Sequence, residues 1–327
     1  MALSPLPAVA TQQVAMQPRL VPRAIAALGA VVGAIGVHLL WAFFVNTAAG
    51  QRIDRAAFEG AAFEQGRLWQ LAQPVLSVVS YTLVIGGAIV AVLIAVFRRR
   101  VLLAIQMFAL VGGANLTTQL IKHWYPRPRL LPGWTGENSL PSGHVTVAAS
   151  VSAALLLAAP RRWRPLVAVL GAAWTIAMGL STMVGQWHRP ADVVAAVLVV
   201  FAWAALICAI TSNRTLDLPE RGNAEEVQLK YPGGSWRLTN PPVRAAPVPM
   251  ASWMVAAFMA LLGGICLVIW AFVIFRLLDA SPDVSSYYVT AYGGGAVGVV
   301  GVTLLCFSLL LIFRQVTGAP NAPQLKA

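Results

Sequence analysis

KHWYPRPRLLPGWTGENSLPSGHV, residues 122–145, and STMVGQWHRPAD, residues 181–192, are polar stretches set between long apolar runs. They hold His123, His144 and His188 together with Lys122, Arg127, Arg129, Arg189 and Asp192. Each of these residues stands at the edge of an apolar segment. Polar chemistry is thus confined to segment ends, the pattern of a site at a membrane surface.

Working outward, the composition agrees. Apolar residues make up 58% of the 327-residue chain and charged residues only 10%, which is far from soluble composition and points to an all-α, polytopic helical membrane protein. A spanning helix needs roughly 20 apolar residues, and eight segments qualify: 24–48, 72–97, 101–121, 144–160, 166–185, 191–211, 251–275 and 291–313. Between the first two, QRIDRAAFEGAAFEQGRLWQ (51–70) reads either as a short helix lying on the membrane or as a polar loop. The N-terminal tail has no basic start, and the apolar run after it is too long for a signal-peptide core, so residues 1–23 read as an uncleaved cytoplasmic tail.

The formal charge of +12 does not form one basic stripe, which argues against nucleic acid as a partner. It flanks apolar runs instead, at Arg98 to Arg100, at Arg161, Arg162 and Arg164, and across 212–250. Such flanking charge marks cytoplasmic loops facing anionic lipid. With the N-terminus inside, those segments carry most of the 23 basic residues, and the histidine-bearing stretches face the extracytoplasmic side of a plasma (inner) membrane. Trp41, Trp69, Trp124, Trp134 and Trp187 fall near the outer borders, as an aromatic belt would. Cys208, Cys266 and Cys306 lie inside apolar segments and read as small core residues rather than a disulfide framework or zinc site. His38, within the first helix, reads as a residue bonded to a neighbouring helix.

Residues 212–250, polar and rich in proline, read as a poorly ordered cytoplasmic linker. It separates a six-helix unit (24–211) from a two-helix appendage (251–313) and a short tail (314–327). AYGGGAVGVVG in the appendage offers small residues for close helix contact, a weak signal in membrane helices.

In PSGH (141–144), Ser142 suits an N-cap with His144 in the first turn, so helix N–H groups and the positive dipole end would meet an anion such as phosphate beside an imidazole. Alone, the block is equally a turn that happens to precede a histidine. In WHRPAD (187–192), Pro190 suits the first helical position, and Asp192 can fix the tautomer of His188. A capping aspartate beside an interfacial histidine is the competing reading. Lys122, Arg127 and Arg129 each read alone as dipole compensation or membrane anchors, but three cations on a proline-stiffened loop beside two histidines suit a phosphoryl group.

Together the three blocks resemble the type 2 phosphatidic acid phosphatase (PAP2) superfamily of membrane lipid phosphatases, with its pattern Lys-x6-Arg-Pro, Pro-Ser-Gly-His and Ser-Arg-x5-His-x3-Asp. The resemblance spans about residues 24–211. It implies His188 as nucleophile forming a phosphohistidine, Asp192 orienting it and His144 as general acid. It also implies that Lys122, Arg129, Ser142 and the Gly143 amide bind the phosphoryl oxygens of a lipid phosphate or pyrophosphate, with no metal or other cofactor. Two positions depart from the pattern: Leu130 replaces the proline after Arg129, and Thr182 replaces an arginine. Arg127, Arg189 or His123 could supply the missing cation, although His123 and Arg189 read as solvated interfacial residues. A phosphoryl or head-group transferase, a non-catalytic lipid-phosphate-binding scaffold and, more weakly, a transporter are the rival readings.

Overall fold

The computed structural model describes residues 20–63, 65–78, 101–132, 138–210, 217, 227–231, 234–238, 248–280 and 285–319. Helix α1 (Leu20–Leu40) runs into a π-helical turn, Trp41–Val45, and the chain then reverses into α2 (Ala48–Gly60). Helices α3 (Gln65–Val78), α4 (Val101–Trp124), α5 (Gly143–Ala158), α6 (Arg164–Val184) and α7 (Pro190–Ala209) follow. A hairpin of β1 (Val227–Tyr231) and β2 (Gly234–Leu238) precedes α8 (Met250–Asp279) and α9 (Ser285–Thr317).

Six of these helices are long and apolar enough to cross a membrane: α1 with its π-turn, α4, α6, α7, α8 and α9. The protein is a polytopic helical membrane protein. Seven of the eight expected spans coincide with helices, α5 being a shorter apolar one of 16 residues. The remaining expected span, 72–97, lies mostly outside the described residues. Large apolar side chains of α1 and α8, such as Val31, Leu39, Phe258 and Phe272, are exposed. Water would not tolerate so much apolar surface, whereas hydrocarbon does.

Helix α7 forms the centre of the bundle. Its Ala and Val residues are buried on nearly every side, against α1, α4, α5 and α9. A sequence apolar all round is what a helix with no polar environment requires. The last helix of the expected two-helix appendage packs against this bundle. Gly295 lies so close to the start of α7 that a Cβ there would stand 2.4 Å from Pro190 Cγ, and one at Gly60 would stand 2.2 Å from Tyr288 O.

Of the linker 212–250, residues 217, 227–231, 234–238 and 248–250 are described. It contains the small antiparallel hairpin, and it contributes Asp217 to a buried ionic cluster. Arg164 clamps Asp217 with two bonds, Nη2 to Oδ1 at 2.7 Å and Nη1 to Oδ2 at 2.9 Å, and Arg314 Nη2 reaches Oδ1 at 3.2 Å. Gln315 donates to Ser252 Oγ at 2.7 Å and to Arg161 O at 3.0 Å. Burial alone would raise the Asp217 carboxyl, but Arg314 and Arg164 outweigh it and hold the group at about 2.

The stretch read as either a surface helix or a loop is helical in α2. Thr47 caps it by accepting from Gly50 N at 2.9 Å. Its buried positions Gly50, Ile53, Asp54, Ala57 and Gly60 recur at helical spacing. Gly50 is required by close approach, because a Cβ there would lie 2.0 Å from Phe43 O.

Candidate active site

Two helix starts meet at one end of the bundle. Ser142 caps α5, its Oγ accepting from Val145 N at 3.4 Å, and its own backbone N–H donates to Asp192 O at 2.9 Å. That second bond ties the PSGH turn directly to the first turn of α7. Thr118 and Thr146 share a buried hydroxyl–hydroxyl bond of 2.9 Å that fixes α4 against α5. The two expected helix starts are therefore held in register by backbone and by buried polar groups.

His188 Nδ1 lies 3.2 Å from Asp192 Oδ2, which also accepts the Arg189 backbone N–H at 3.0 Å. A carboxylate only accepts, so the proton belongs on Nδ1 and Nε2 keeps its lone pair. His188 is 8% exposed and Asp192 fully buried. The His144 ring, on the more open side, stands with its centroid 6.4 Å from that of His188 and 5.3 Å from that of Trp187. The turn carrying His188 is shaped by Thr182, whose carbonyl accepts from Trp187 N at 3.0 Å and His188 N at 3.3 Å. Thr182 itself is fully buried, and its hydroxyl donates to Gly179 O at 2.8 Å.

Lys122, half-buried at the end of α4, lies within electrostatic reach of both Asp192 and His144. Gly143 opens α5 next to its cap, leaving its amide among the unbonded first-turn donors. Arg129 and His123 are exposed, whereas Arg127 is partly buried on the proline-stiffened loop. Arg127 stands below its ordinary range through burial and then Arg189, with Asp54 and Asp192 acting in the opposite sense. Among the described residues no group of three or more His, Cys, Asp or Glu side chains is placed to hold a metal ion.

Arg189 differs from the expectation of a solvated interfacial residue. It is 6% exposed, donates from Nη1 to Ser139 Oγ, lies 4.0 Å from Asp192 Oδ2, and sits over the Phe58 ring at 5.5 Å. The neighbouring loop folds over it and α2 covers it from the other side.

Sequence reasoning missed the contribution of α2. Gln51 Nε2 donates to Pro128 O at 2.8 Å and to Val45 O at 2.7 Å, pinning the Arg127–Arg129 loop. Asp54 Oδ1 accepts the Ala191 N–H at 3.3 Å in the first turn of α7. The signal was the i, i+3, i+4 spacing of Gln51, Asp54 and Arg55, which puts polar groups on one helix face. It could not say that this face turns inward.

At one end of a bundle of membrane-spanning helices, two histidines at two helix starts are thus brought together. Residues 102–216, about a third of the chain, match the family model of the PAP2 superfamily. The match contains all three polar blocks and leaves α1 to α3, α8 and α9 outside it. Comparison with curated proteins and with solved structures gives no match.

Proposed function

We propose that the protein is a metal-independent lipid phosphate phosphatase that hydrolyses a phosphomonoester or pyrophosphate of a prenyl lipid or glycerolipid on the extracytoplasmic side of the plasma membrane. The observation carrying this reading is the His188–Asp192 contact of 3.2 Å, faced by His144 across a single gap. His188 Nε2 attacks phosphorus and forms a phosphohistidine, while His144 gives its proton to the departing lipid oxygen. Asp192 holds Nδ1–H and stabilises the positive ring. A water molecule, deprotonated by His144, then attacks the phosphohistidine and releases inorganic phosphate. Lys122, Arg127, Arg129, Ser142 and the Gly143 amide supply positive potential and N–H donors to the phosphoryl oxygens, aided by the α5 dipole.

The orientation rests on the basic clusters. Arg161, Arg164 and Arg314 gather at the end of the bundle where Arg23 Nε donates to Ala209 O, opposite the histidines. Thr182, where the family pattern has arginine, favours a second reading: a binding protein that retains the pocket without turnover.

Phosphate release by purified protein from a panel of lipid phosphates, with chelator present, separates the readings. The phosphatase reading expects release that disappears in His188→Ala and falls about 10²- to 10⁴-fold in His144→Ala. Release unaffected by His188→Ala contradicts it, and binding without release supports the second reading.

A further inference from the structure

Asp54 is a carboxyl that the proposed chemistry does not use and that lies outside the residues matching the superfamily. It is 2% exposed. Its Oδ1 accepts the Ala191 amide at 3.3 Å, while its Oδ2 is buried with no hydrogen-bond partner. An ionised oxygen without a donor is costly in such a place, and a protonated one costs far less.

The charged groups around it come from three places. Arg127 belongs to the α4–α5 loop, Arg189 to the turn before α7 and Asp192 to α7 itself, and all three act on Asp54. The other charges of α2 are engaged elsewhere. Arg55 pairs with Glu59 at 2.7 Å, and Arg52 bonds to Tyr287 of α9. Two carboxyls and two guanidinium groups, three of the four buried and Arg127 partly so, therefore interact beside His188.

We infer that Asp54 is a positioning residue and proton-linked counter-ion of the phosphoryl pocket. Ionised, it neutralises Arg127 and Arg189; protonated, it leaves their charge to an incoming phosphoryl group, and in both states Oδ1 holds the first turn of α7. This rests on reading the pocket as a phosphoryl site. The balance is simple: an anion enters, one proton from solvent moves onto Asp54 Oδ2, and no bond to carbon or phosphorus changes.

The titration range makes the exchange usable. Burial first, and then Asp192, push Asp54 up to about 7, against the lowering effect of Arg189, Arg127 and the Ala191 amide. An added anion would push it further in the same direction. Anion affinity should therefore fall as pH rises through that value.

The test uses the full chain in detergent and sulfate, whose charge is constant over the range. Calorimetry at about pH 6 and about pH 8.5 should show sulfate binding weakening about tenfold more in the wild type than in Asp54→Asn. The histidines contribute equally to both proteins, so the difference isolates Asp54. If the variant does not fold, an infrared difference spectrum of the wild type at about pH 8 answers the same question. Sulfate should bring up the carbonyl band of a protonated carboxyl, a signal that no histidine gives. Equal pH slopes, absence of that band, or no sulfate binding at either pH would overturn the inference. Lipid-phosphate hydrolysis with equal slopes overturns it while leaving the phosphatase standing. Unequal slopes without hydrolysis support it for a pocket that binds and does not turn over.

Discussion

At the scale of single residues, position 182 is decided by packing. Thr182 is fully buried with its hydroxyl bonded inside its own helix. Thr182→Arg must bury a guanidinium in that space, at a cost of about 1–3 kcal/mol from overpacking alone. The expected outcome is a lower melting temperature and no gain in kcat/KM; a large gain would show that the native site lacks a cation. Asp192→Asn should lower kcat by about 10²- to 10⁴-fold, because its amide can present a donor to Nδ1 and favour the wrong tautomer. Steady-state kinetics on any accepted lipid phosphate checks it. The histidine, serine and aspartate positions of this site were legible because caps, Pro190 and Pro-Ser-Gly act locally. Asp54 and Arg189 were not. Their burial depends on α2 docking over the loop, and an Asp on an amphipathic helix looks the same facing water or protein.

At the scale of elements, the N-terminal turn of α7 is held from three directions: Ser142, Asp54 and the last helix. Gly295→Val would drive a side chain against Pro190, where even a bare Cβ stands 2.4 Å from Cγ. Because His188 and Asp192 flank that proline, a shift of about 1 Å can cost up to about 10²-fold in kcat. The expected signature is a kcat loss larger than the loss of thermal stability would explain, measured by kinetics beside a melting curve. The close approach of the last helix was not legible from AYGGGAVGVVG, since such spacing permits contact without naming its partner. Length and apolarity alone made seven helices legible, six of them long enough to cross a membrane.

For the molecule as a whole, the ionic cluster around Asp217 joins the linker to α6 and α9 at the end opposite the site. Its carboxyl is depressed from 3.8 to about 2, so it contributes stability above the unfolded value. That contribution, about 2 kcal/mol, is lost as pH falls from about 4 through about 2. Asp217→Asn should destabilise the wild type at neutral pH and flatten this acid limb, as read by melting curves across pH. The linker was expected to be poorly ordered because its composition is polar and proline-rich. One carboxylate facing two arginines distant in sequence was enough to fasten part of it, and composition does not register such a pairing.

The central claim is that His188 carries the phosphoryl group between lipid and water. A single turnover with a lipid phosphate that the protein hydrolyses, quenched in alkali to preserve phosphohistidine, can be read by mass spectrometry of the peptide spanning residues 181–192. The account predicts a phosphoryl group on His188 that appears and decays with turnover and is absent in His188→Ala together with product. Continued turnover in that variant, or the label on another residue, would contradict it.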